Sequence, residues 1–354
     1  AFREFSNQVI ALSARPDVVK SPLDLAKGLE ILASTGFEGA RALAVLGPAA
    51  QAATAGFTDT KTVIEGLIRI LEAYAGSNLT ATRSLDLMFE TVDKGIISFP
   101  QLASGIGEVV GFAGTAGVSF DELSAAIATM SKVLPPAQTF TSLKNLIISI
   151  SAPSKEAADA ARDMGIEFNQ SALESKGLIG VLLDMQKVTG NNVAALSRLL
   201  PENRALRGAI ALLRDGTSDF TERLKDMSAE GESAEATTRA LAEALKSPAV
   251  QLEKFASTMQ LVGIQMGSDL IPAMRSGLEI VSGFAKAVGS LPQPIQQAFL
   301  AFTALGVAVT GGTLVFGRLI TLVAAAVNFV VTWKKTVAES ALIEEGATLA
   351  TGKN

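Results

Sequence analysis

"SPLDLAKGLEILAS", Ser21 to Ser34, sets the grammar of this chain. Ser21 stands where a helix N-cap would accept a backbone N–H, Pro22 suits the first helical position, and Asp24 follows three residues after the cap. Leu25, Leu29 and Leu32 then recur on one face, which predicts a short amphipathic helix. The pattern repeats outward. "TKTVIEGLIRILEAYAG" places Val63, Leu67, Ile70, Leu71 and Tyr74 at helical spacing, with Gly76 positioned to end the segment. "APSKEAADAARDMGI" predicts a helix capped by Ser154 and closed at Gly165, with Lys155, Glu156, Asp159, Arg162 and Asp163 on its wet side. "IISFPQLAS" (Ile96 to Ser104) and "GVSFDELSA" (Gly117 to Ala125) share a Ser-Phe-x-x-Leu core, and both read as helix starts. Ser119 with Glu122 has the form of a capping box, and Ser98 with Pro100 and Gln101 is a looser version.

No alternating pattern long enough for a strand interrupts these segments, and β-branched runs such as "LIISIS" sit between helix-compatible flanks. The expected fold is all-α: an array of short amphipathic helices, then a longer coiled-coil-like helix, then a hydrophobic helical segment. Turn signals stand at Pro135 and Pro136, in "SAEGESAEATT" from Ser228 to Thr238, and in "SLPQP" from Ser290 to Pro294. The expected division is a helical core over 1–215, an amphipathic coiled-coil-like region over 216–290, hydrophobic helices over 291–335 and a short tail over 336–354.

Composition narrows the chemistry. The 354 residues include no cysteine and no histidine, which removes disulfides, thiolate and imidazole metal ligands, and the usual nucleophile–base pairs. No catalytic residue, no metal and no cofactor is expected. Thirty basic against thirty-five acidic residues give a net charge of −5, which offers nucleic acid no electrostatic footprint. "GEVVGFAGTAG" from Gly107 to Gly117 lacks the Lys-Ser/Thr of a phosphate loop; Gly107, Gly111 and Gly114 are better suited to close helix approach or helix termination. Asp121 and Glu122 fall in a first helical turn, where the helix dipole favours negative charge. Ser154 and Lys155 are a cap and its neighbour, not a nucleophile pair.

Two apolar patterns remain. From Ser247 onward Leu252, Phe255, Met259, Val262 and Met266 step by three and four, and beyond Pro272 the step resumes through Met274, Leu278 and Val281. This reads as a self-association seam, or as the inner face of a single amphipathic helix. From Ala298 to Trp333, Arg318 is the only charge. That length exceeds the roughly 20 residues of a membrane span, with Leu305, Leu314, Phe316, Leu319, Leu322 and Phe329 as its apolar body. Trp333, Lys334 and Lys335 close it as an interfacial anchor. The stretch is long enough to span once or to split at Gly311 and Gly312 into a short hairpin; a buried helical hairpin in a soluble assembly is the competing reading.

"LASTGFEGARALAVLGPAAQAATAGFTD", "GVSFDELSAAIATMSK" and "SAPSKEAADAARDMGI", in that order, resemble the core of tail tape measure proteins of long-tailed bacteriophages, over roughly Leu23 to Leu213. "LIPAMRSGLEIVSGFAKAVGSLPQPIQQAFLAFTALGVAV" is similar to the region on the C-terminal side of that core in the same family. One departure stands out: "VLPPAQTFTSLKN" replaces the glycine-rich turn that the family carries after "ATMSK". The resemblance implies a protein packed in the tail tube lumen that sets tail length, leaves before the genome, and helps DNA cross the host envelope. It also implies partners: copies of the chain itself as a trimer, tail tube and tail tip or baseplate proteins, and the host membrane during ejection. A cellular membrane-anchored or pore-forming helical protein is the alternative.

Overall fold

The computed structural model describes residues 2–37, 39–228 and 235–273. Among them are sixteen α-helices and no strand, as the capped amphipathic segments predict. In chain order they are α1 (Phe2–Ser13), α2 (Pro22–Ser34), α3 (Gly39–Ala55), α4 (Thr60–Ala73), α5 (Ala81–Lys94), α6 (Phe99–Gly105), α7 (Val110–Thr115), α8 (Phe120–Ser131), α9 (Pro136–Ser151), α10 (Lys155–Asp163), α11 (Gln170–Thr189), α12 (Val193–Leu199), α13 (Asn203–Leu213), α14 (Ser218–Ser228), α15 (Ala236–Ala244) and α16 (Pro248–Ala273). The chain divides into two units, Ala1–Leu261 and Val262–Asn354. Of the second, only the end of α16 lies within the described residues.

The caps are local and follow the sequence. Ser21 Oγ accepts from Asp24 N at 3.2 Å, Asp59 from Thr62 N at 2.8 Å, and Ser154 Oγ from Ala157 N at 3.2 Å. Each satisfies one of the N–H groups that a helix start leaves without an intrahelical partner. Both echoed starts are capped by their serines. Ser98 carries the complete box, its own N–H donating to Gln101 Oε1 at 3.0 Å. At Ser119 the hydroxyl accepts from Glu122 N at 3.2 Å, and the Ser119 N–H in turn favours the ionised Glu122 carboxyl.

One buried cluster runs from Val9 to Leu241. Helix α8 lies within it and is buried at every position except Asp121. A helix buried on all sides belongs inside a bundle, and Ala125, Ala126 and Ala128 let its neighbours α5, α9 and α14 approach closely. Among the glycines of the Gly107 to Gly117 stretch, Gly114 does serve close approach: a Cβ there would stand 2.5 Å from the Ala73 carbonyl oxygen of α4. Gly111 faces nothing within 4 Å, so that expectation fails at this position.

Glu122 is spent on packing across the bundle. Its carboxylate accepts from Ile179 N at 3.2 Å, where α11 is interrupted at Gly177 with φ +70°. The break frees N–H groups in the middle of what would be one helix, and a carboxylate from α8 caps the restarted half. Gly177 suits the break twice, since it tolerates positive φ and a Cβ would lie 2.9 Å from the Glu122 carboxyl carbon. The dipole of its own helix is therefore only part of the account of Glu122, and Asp121 pairs with Arg83 at 2.7 Å.

Burial pushes the Glu122 carboxyl above the ordinary glutamate range, opposed by backbone hydrogen bonds from Ile179 and Leu178. Burial also raises Glu90 on α5, opposed by Lys94 and Arg239. A carboxyl raised by folding binds protons more tightly in the folded state, so its contribution is complete below the unfolded value of about 4.3 and is lost as pH rises through the folded value. Asp17 and Asp219 run the other way. Hydrogen bonding to Arg15 holds Asp17 low, and Arg223 and Lys132 hold Asp219 low against its burial. Their contribution is lost as pH falls below about 3.9. Stability measured by urea midpoint is expected to rise as pH falls from neutrality towards the ordinary glutamate value, then to decline at lower pH. Glu122→Gln should flatten the rise, and an unchanged profile in that variant would count against this account.

Candidate interaction face

The first turns of α16 are tied down on one side. Lys20, almost fully buried, pairs with Glu253 at 2.7 Å, and Lys254 Nζ donates to the Pro16 carbonyl at 2.8 Å. Val250 packs in a small apolar cluster with Val19 and Ala244. Ser257 and Leu261 continue this buried side about two and three turns on from Val250. A charge as buried as Lys20 needs its partner, so the ion pair fixes where the helix begins.

The apolar stripe faces the other way. Leu252 is 71% exposed and Phe255 45% exposed, while Met259 and Val262 are half-buried. At about 100° per residue, the arc of Val250, Lys254, Ser257 and Leu261 and the arc of Leu252, Phe255, Met259 and Val262 are centred roughly 150° apart. The helix thus carries two faces: one used for attachment, the other apolar, with Leu252 its most exposed side chain. Exposed apolar side chains aligned along one helix face are the pattern of an interaction surface. Met266 lies farther along α16, and Met274, Leu278 and Val281 lie outside the described residues. The anchoring side has no signal in the sequence. Its key pair joins positions 233 residues apart, and Lys20 sits in a loop without periodicity.

Among the described residues no helix is long and apolar enough to cross a membrane. The segment expected to enter one, with Leu305, Leu314, Phe316, Leu319, Leu322, Phe329 and Trp333, lies outside the described residues. Among the described residues no group of three or more acidic, histidine or cysteine side chains is placed to hold a metal ion. The glycine-rich stretch borders a shallow groove of about 400 Å³ between Phe112 and Ile148, whose lining includes no charged side chain.

No curated protein and no solved structure matches the chain. A family model described as "Phage-related minor tail protein" matches residues 6–206, from α1 into α13. That match spans more than half of the sequence, all of it in the helical bundle that carries α16. The chain therefore belongs to the phage-related minor tail protein family.

Proposed function

We propose that this minor tail protein is a tape measure protein. Copies of it occupy the tail tube lumen, set tail length during assembly, leave on infection and help the genome cross the host envelope. The observation that carries the reading is the two-faced α16, anchored on its bundle through Lys20 and Glu253 while the opposite side is an apolar stripe led by the exposed Leu252. Beyond it, in sequence, come the further apolar steps through Val281 and the segment from Ala298 to Trp333. Such faces fit a molecule stored against copies of itself, as a trimer, and against tube and tip or baseplate proteins. The net charge of −5 fits a lumen through which DNA passes without being held. Tail structure asks no catalysis of the chain, and without histidine and cysteine most routes to catalysis are closed.

A ruler has a direct test. Duplicating the 26 residues of α16 in the parent phage is expected to lengthen the tail by about 1.5 Å per added residue, the rise of an α-helix. Tail lengths read from electron micrographs decide it. Tails of unchanged length, with the longer protein present in the particles, would leave a minor tail protein that is not the ruler.

A further inference from the structure

The chain after α13 folds back as an arm. Helix α14 lies on α8 and α5, and α15 lies on α3 and α5. Much of what holds them is polar. Arg223 of α14 donates to the Lys94 carbonyl of α5, Lys94 pairs with Asp226 at 2.8 Å, and Arg239 of α15 pairs with Glu90 at 2.7 Å. The start of α15 has no cap of its own, since Glu235 at φ +71° supplies none; Asp86 of α5 accepts from Thr237 N at 2.9 Å in its place. The large apolar side chains that the two helices bury are few: Phe220, Met227 and Leu241. The fit is also incomplete, because Arg223 Nε and Thr237 Oγ1 are buried without a hydrogen-bond partner.

The hinge is short and strained. Helix α13 ends at Leu213 and α14 begins at Ser218, and between them Gly216 and Thr217 have φ of +67° and +64°. A β-branched residue in the left-handed region is held there by its surroundings and gains by leaving it. The residues that match the tail protein family end at 206, before this hinge, so the arm is attached to the matched bundle from outside it.

We propose that this arm, from Ser218 to the root of α16, exchanges between copies of the chain. The hinge opens, and the arm of one copy takes on a second copy the surface of α3, α5 and α8 that it covers at home. No other element is so well matched to that surface, because every ion pair, the Asp86 cap and the buried Phe220 re-form unchanged in the second copy. A short hinge under strain favours this exchange. Closed and exchanged forms then differ only in hinge strain and in the entropy of bringing two copies together.

The chain has no cysteine, so introduced thiols report on one pair at a time. Full-length Lys94→Cys and full-length Asp226→Cys are refolded together and treated with a short bis-maleimide linker. Exchange gives a linked dimer containing one of each variant, while either variant alone gives none. A Lys94→Cys/Asp226→Cys chain diluted into unmodified protein should link within itself, which reports the closed arm. Thr217→Gly, which relieves the strain of the closed hinge, should lower the mixed dimer about fivefold or more. The proposal is overturned if the double variant links within itself and no mixed dimer forms at any concentration reached. It is equally overturned if the double variant fails to link at all, or if the mixed dimer forms with a yield that Thr217→Gly leaves unchanged, since that is association without exchange.

Discussion

Leu252→Asp is expected to weaken self-association of the full-length chain by about two to three and a half orders of magnitude while leaving its helical fold intact. The two halves of this expectation come from the two faces of α16. Leu252 is 71% exposed in the single copy, so a carboxylate there stays in water and the monomer bears little cost. In a seam built on Leu252, Phe255, Met259 and Val262, the same carboxylate would be buried without a partner. That costs about 3–5 kcal/mol, or roughly two to three and a half orders of magnitude in a dissociation constant at about 1.4 kcal/mol per tenfold. Gln260→Asp, an exposed substitution about 120° around the helix from the stripe, should leave association unchanged. Sedimentation equilibrium separates the variants, and circular dichroism checks that each is folded. Equal association of Leu252→Asp and the parent would move the seam elsewhere. Arm exchange carries α16 onto the second copy, where Leu252 takes the equivalent position, so the hinge variant and the seam variant test separate contacts.

Features that depend on near neighbours in the chain are legible in the sequence. Ser21, Ser98, Ser119 and Ser154 are recognisable as caps because an N-cap and the amide it serves lie three residues apart. The apolar spacing of α4 and the stripe of α16 are visible for the same reason. Glu122 is only half explained by its own helix, because its acceptor role is played out 57 residues away, at a break in α11 that only Gly177 hints at. Asp86 carries no signal because the helix start it serves lies 151 residues on. The same holds for Lys20 and Glu253: a buried lysine in a loop has no signature until the helix that answers it is placed beside it. Local rules thus specify which helices form. Which polar groups hold them together is set by packing partners that hydrophobic periodicity does not encode.

Leu314→Asp combined with Leu322→Asp is expected to yield phage whose tails assemble to normal length and bind cells but release no genome into them. Both residues lie outside the described residues, and the expectation rests on the chemistry of Ala298 to Trp333. One charge, Arg318, already stands near its middle at a cost of a few kcal/mol in lipid, which snorkelling or a partner can reduce. Trp333, Lys334 and Lys335 fit the water interface at one end. Two aspartates within the apolar body add about 2.5–3.5 kcal/mol each, together roughly a 10⁴-fold shift against insertion. An apolar stretch of this length bare in water would aggregate, so the delivery role proposed above requires a protein cover before release. If that cover tolerates the aspartates and lipid does not, assembly survives and delivery fails. If the segment serves only as packing within the tail, the defect moves earlier and tails fail to assemble. Plaque counts, adsorption and potassium efflux from infected cells distinguish these outcomes. Normal infection by the double variant would remove both roles, because no apolar environment, lipid or protein, accepts two unpaired carboxylates without loss.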